Sequence, residues 1–135
     1  MKNYIFVSIL LSIVTLSSFK CKKETDITDP SCFKGRLEIK GLCMNYTIKL
    51  LEGNIPSDAI ESSWIDPSTG KEYNNVFRLE NHCDFPSTIK EGDEFYFIIE
   101  KKPSNDCVRC LAYYPTPSKD ISIRVINERC IGKNN

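Results

Sequence analysis

The chain has 135 residues, with 18 basic and 18 acidic side chains and a formal net charge of zero. That length suits one folded domain. The balanced charge gives no electrostatic argument for nucleic-acid binding, which usually rests on a concentrated basic face, so no nucleic-acid partner is expected.

Met1-Lys2-Asn3 makes a short positive start, and Tyr4 to Phe19 is an uncharged, mostly apolar run closed by Lys20-Cys21. A membrane-spanning helix needs about 20 apolar residues. This shorter run behind an N-terminal charge is built like a secretory leader. Lys22 to Ser31 is polar, charged and contains Pro30, which reads as a tether. The expected layout is a leader over 1–20, a tether over 21–31, a domain over 32–130 and a tail over 131–135.

Phe33, Gly35, Leu37 and Ile39 alternate with Lys34, Arg36, Glu38 and Lys40, the pattern of a half-buried strand. After Gly41 the alternation resumes with Met44, Tyr46, Ile48 and Leu50, so the two runs predict an antiparallel hairpin. The stretch 55–75 reads as irregular, with one helical turn starting near Pro56. Asp66-Pro67-Ser68-Thr69-Gly70 is a turn, since proline presets φ and glycine accepts positive φ. Trp64 and Tyr73 flank it and pair across a small hairpin or form a flap. Further strands are expected over Val76 to Glu80, Glu94 to Glu100, Cys110 to Tyr114 and Ile121 to Asn127. Glu94 to Glu100 is apolar on both faces, which suits a central strand. Five to six short strands with little helix predict an all-β domain, a small antiparallel barrel or sandwich.

The seven cysteines constrain the domain further. If Cys21 is consumed at the end of the leader, Cys32, Cys43, Cys83, Cys107, Cys110 and Cys130 remain. That even set is what disulfides require in an oxidising compartment. Cys32 precedes the first strand and Cys130 follows the last, so a bridge between them ties the ends. Cys43–Cys83 and Cys107–Cys110 complete one assignment. Its main rival bridges Cys107 or Cys110 to Cys43 or Cys83 across the sheet.

The run Ser17-Ser18-Phe19-Lys20-Cys21-Lys22-Lys23 resembles bacterial lipoprotein signals, in particular those of Bacteroidota. The resemblance implies that Cys21 is acylated and becomes the first mature residue, anchored in the outer membrane or at the cell surface. Cys32-x-x-Gly35-Arg36-Leu37, Cys43-x-x-Tyr46-x-Ile48-x-Leu50-x-x-Gly53, Gly92-Asp93-x-Phe95-x-Phe97 and Cys107-x-x-Cys110 resemble small OB-like barrels of Bacteroidota lipoproteins. That likeness implies a fold and a location and carries no activity.

Candidate chemistry is sparse. Cys107-Val108-Arg109-Cys110 has redox spacing, but such a site needs a helix N-terminus to lower the thiol pKa. Here strand-like residues and two prolines follow, so a structural disulfide is the better reading. His82, Cys83, Cys107 and Cys110 form a Cys₃His zinc set on paper, although the first two are adjacent in sequence and suit a tetrahedral site poorly. No metal or other cofactor is therefore assigned. His82 is the sole histidine, and no nucleophile–base constellation or G-x-S-x-G motif accompanies it. It reads as a surface-loop residue, and no catalytic residue is assigned. Most aromatics must fill the core of so small a domain. Trp64 and Tyr73 are the best candidates for exposed contacts with a protein or glycan. The leading expectation is a lipid-anchored, non-enzymatic binding module. The alternatives are a thiol-redox or metal protein using Cys107 and Cys110, and a structural envelope component.

Overall fold

The computed structural model describes residues 32–101, 107, 112–127 and 129–130. The expected leader, the expected tether with Cys21, Cys110 and the expected tail lie outside the described residues. Seven strands form one sheet: β1 (Cys32–Lys40), β2 (Tyr46–Glu52), β3 (Glu61–Ile65), β4 (Glu72–Leu79), β5 (Glu94–Ile99), β6 (Asp120–Ile121) and β7 (Ile123–Ile126). Their order is β3-β4-β2-β1-β5-β7, with β6 also paired to β4. All pairings are antiparallel except β4–β6, which is parallel. The all-β, disulfide-stapled architecture expected from the sequence is present and is compatible with an OB-like or sandwich fold. Among the described residues, no helix is long and apolar enough to cross a membrane.

The alternation in β1 sets the two sides of the sheet. Phe33, Gly35, Leu37 and Ile39 are buried, while their neighbours are partly exposed. Phe33 lies opposite Phe97 in the β1–β5 register, and the two rings stack with centroids 5.4 Å apart. Phe97 also meets Phe77 and Phe95, each at 6.1 Å. Phe77 and Phe97 are fully buried, each contributing about 1.5–3 kcal/mol through lost hydration. Gly35 makes room for this cluster, because a Cβ there would stand 2.9 Å from Phe97 Cε1. A strand glycine marking a close approach is the general pattern. On the outward side of β1, Lys34 pairs with Glu94 at 2.8 Å. Hydrogen bonding to Glu94 raises the Lys34 pKa, and the same contact lowers that of Glu94.

Several expectations need correction. Strand two starts at Tyr46 rather than Met44, because Leu42–Met44 is a 3₁₀ turn with Cys43 and Met44 at φ 57° and 59°. The supposedly irregular 55–75 segment contains β3 and the start of β4, so the Trp64–Tyr73 hairpin is formed. Pro56 begins a turn closed by the Ala59 N–H donating to its carbonyl at 2.9 Å, not a helical turn. The strand expected over Cys110 to Tyr114 is absent at Ala112–Tyr114, and its remainder falls outside the described residues. Residues 112–119 carry no strand, and the Lys119 carbonyl accepts the Arg78 N–H of β4 at 2.8 Å. The Tyr114 ring lies so close to Gly41 that an added Cβ would sit 2.6 Å from it. Pro117 is fully buried, and the Ser118 hydroxyl donates to Glu61.

The expected last strand splits at Ser122 into β6 and β7. β6 follows β4, with Asp120 level with Arg78 and Ile121 with Leu79, whereas β7 follows β5. One short segment thus bonds to both sides of the curved sheet without closing it into a continuous barrel. Asn81 bridges the interruption. Its Nδ2 donates to the Ile123 carbonyl and its Oδ1 accepts the Ile123 N–H, both at 2.8 Å.

Cys32–Cys130 is formed as expected and spans 98 residues. The chain-entropy model assigns a loop of that length about 4.7 kcal/mol. The expected Cys43–Cys83 and Cys107–Cys110 bridges are replaced by Cys83–Cys107, with a separation of 24 residues. The same model assigns it about 3.5 kcal/mol. This is the rival pairing, in which the late cysteine motif crosses to another element. Cys43 is disulfide-bonded too.

Candidate functional site

Two neighbourhoods gather side chains capable of recognition or chemistry. The first is the β3–β4 hairpin. Trp64 and Tyr73 are direct partners across it, and their rings lie 5.8 Å apart, tilted by 31°. Lys71 Nζ sits 4.5 Å from the centre of the Tyr73 ring, a distance at which the ring quadrupole attracts a cation. Both rings are half-buried, and neighbouring Ile65 is 60% exposed. On the other side of the ribbon the Ser63 hydroxyl donates to Glu72 at 2.6 Å.

The turn that holds this pair is built by Asp66. Its carboxylate accepts from the Ser68 N–H at 2.9 Å, the Ser68 hydroxyl at 2.7 Å and the Thr69 hydroxyl at 2.8 Å. Its carbonyl accepts the Gly70 N–H at 2.8 Å, and its own N–H donates to the Lys71 carbonyl at 2.9 Å. Gly70 takes the left-handed φ of 72° that completes the turn. Burial pushes the Asp66 carboxyl upward, but the Ser68 and Thr69 donors outweigh it and hold the pKa below the ordinary value. Hydrogen bonding of this kind favours the ionised form. The sequence located both aromatics and the turn, and it missed Lys71.

The second neighbourhood is a cleft of about 260 Å³ whose lining includes Met44, Asn45, Arg78, Glu80, His82 and Asp120. Arg78 bonds Asp120 at 2.5 Å, with both side chains about two-fifths exposed. Such a pair organises the wall and contributes little stability. The rim is the strained Cys43–Met44 backbone. The Asn45 side chain donates to the Leu42 carbonyl at 2.8 Å, and Cys43 in the same turn is disulfide-bonded. Leu42 and Met44 are 71% and 43% exposed. Non-glycine residues in the left-handed region cost roughly 1–3 kcal/mol each and gather at functional positions. The apolar alternation before Tyr46 concealed this turn.

His82 is not a simple surface residue: it is half-buried, begins the 3₁₀ turn His82–Asp84 and lines the cleft. One ligand atom each from His82, Cys83 and Cys107 lies within 4.8 Å of the others. Three members of the Cys₃His set read from the sequence therefore converge, despite the adjacency of His82 and Cys83. Cys110, the fourth, lies outside the described residues. Because Cys107 is bonded to Cys83, the C-x-x-C motif is not a redox pair in this structure.

No family model matches this chain, and neither the curated proteins nor the solved structures include a match to it.

Proposed function

We propose that this protein is a lipid-anchored, non-enzymatic binding module of the outer membrane or cell surface, and that it engages a glycan through the β3–β4 hairpin. The observation that carries the binding reading is the Trp64–Tyr73 pair, held across two strands beside Lys71 by the Asp66 turn. Paired aromatic rings offer a large apolar area with few rotatable bonds, so little ordering entropy opposes binding. Ser62 is exposed two residues from Trp64, on the same face of β3, and supplies a hydroxyl group for sugar hydroxyls. The anchor rests on the leader-like run ending at Cys21, and the disulfides agree with an exported protein.

Two measurements test this reading. Mass spectrometry of the mature N-terminus should find a diacylglyceryl thioether on Cys21; an unmodified Cys21 or a start at Ser18 removes the anchor. Affinity electrophoresis in gels containing soluble polysaccharides should show retardation. Replacing Trp64 or Tyr73 with Ala should weaken it about tenfold, the equivalent of one ring contact of roughly 1–1.5 kcal/mol. Retardation that survives both substitutions removes the hairpin from the binding face, and its absence across the panel removes the glycan.

A further inference from the structure

The corner formed by His82, Cys83 and Cys107 has a donor set with no part in glycan contact. Its three ligand atoms already lie within 4.8 Å of one another, on half-buried residues, with two of the donors joined as a disulfide. We propose that this corner is a redox-gated site for a zinc-class divalent cation. It is closed while Cys83–Cys107 is oxidised. When the bridge is reduced it opens, with Cys83 Sγ, Cys107 Sγ and a His82 ring nitrogen as ligands.

Geometry, charge and access agree. Tetrahedral zinc with Zn–S near 2.3 Å and Zn–N near 2.0 Å places its donors about 3.5–3.8 Å apart, inside the observed cluster. Only the two sulfurs must part, by less than about 2 Å from bonded contact. The Cys83 and Cys107 Cα atoms are 5.5 Å apart, so side-chain rotation can supply that separation. Two thiolates neutralise a divalent cation, so occupation adds no net charge to a half-buried corner, where an unpaired charge would be costly. Thiolate and imidazole together select zinc-like cations over magnesium or calcium. Three protein ligands leave a fourth position for water, and His82 lines the solvent-filled cleft that supplies it.

The redox step balances with a dithiol reductant. It delivers two electrons and two protons to the bridge and leaves as its own disulfide. The cation then displaces both protons from the thiols as it binds. Cys83–Cys107 closes the shorter of the two described loops, 24 residues against 98. Its opening therefore removes the smaller constraint on the unfolded chain.

The test uses the full chain, reduced with a dithiol and freed of it without oxygen, then titrated with Co²⁺ as a spectroscopic probe. One Co²⁺ per chain should bind, with thiolate-to-cobalt charge-transfer and tetrahedral ligand-field absorption, and Zn²⁺ should displace it. The oxidised chain should show neither band. His82→Ala should weaken Co²⁺ binding by about tenfold or more. The double variant Cys83→Ser, Cys107→Ser keeps every other cysteine and should lose the bands under the same reduction. Bands that persist in the double variant, or an affinity unchanged by His82→Ala, overturn the assignment. If reduction unfolds the chain, Zn²⁺ should restore its strand circular dichroism, and failure to do so overturns it equally.

Discussion

Asn81→Ala probes the seam that joins the two sides of the sheet. Asn81 is 2% exposed and Ile123 is 3% exposed. The parallel ladder between β4 and β6 runs through the Arg78 N–H to the Lys119 carbonyl at 2.8 Å and the Glu80 N–H to the Ile121 carbonyl at 3.1 Å. Beyond Glu80 the Asn81 side chain takes over and serves both backbone groups of Ile123. Alanine removes both bonds and orphans a buried N–H and a buried C=O. Each orphan costs about 1–3 kcal/mol, so the loss should be about 2–6 kcal/mol. Domains are stable by only 5–15 kcal/mol in general, so the variant should unfold at a clearly lower urea concentration with a similar slope. Urea titration with disulfides intact, followed by far-UV circular dichroism, measures it. A loss below about 1 kcal/mol with a native spectrum would show that water replaces the amide and that the seam does not depend on it. Asn81→Asp should also destabilise at neutral pH, because its carboxylate would face the Ile123 carbonyl oxygen.

Non-reducing peptide mapping should yield a peptide joining Cys83 to Cys107; a cross-link closing Cys107 on Cys110 would refute the observed connectivity. The hairpin should weaken in acid. Asp66 has its folded pKa held below the ordinary value. Its stabilisation is therefore complete above an unfolded pKa of about 3.9 and is lost as pH falls through the lower folded value. Trp64 fluorescence should report this loss below about pH 4, and an identical acid transition in Asp66→Asn would refute the role of the carboxylate.

The β1 and β5 strands were legible because their environment is simple. β1 has one face on the core, so apolar and polar residues alternate, and the Phe95–Phe97 face of β5 packs against it. The Asp66 turn was legible because its chemistry is local: a carboxylate, a proline and a glycine within one short loop. The Cys43–Met44 turn was not, because the left-handed backbone there is one that neither residue favours, and the hydrogen bonds that close it, from Gly41 N–H to Asn45 and from Asn45 to Leu42, carry no sequence signature. β3 was obscured because Glu61, Ser62, Ser63 and Ile65 keep exposed or half-buried positions at a sheet edge, so burial leaves no alternating imprint. Asn81 gave no signal either, since its role exists only where two distant strands meet.

The connection between β5 and β6 is where the disulfide expected from the sequence and the one in the structure part company. Cys43 and Cys83 border two strands expected from the sequence, and pairing them leaves Cys107 to close on Cys110 in a small ring. In the structure the chain leaves β5 at Ile99 and rejoins the sheet at Asp120, parallel to β4. Cys107 lies on that path, and Cys83 lies just beyond the end of β4, where a parallel partner of β4 must be approached. The long-range bridge and the parallel pairing therefore both tie this part of the chain to the end of β4. The same convergence carries Cys107 to His82, which is why residues that looked too close in sequence to cooperate share one corner of the fold.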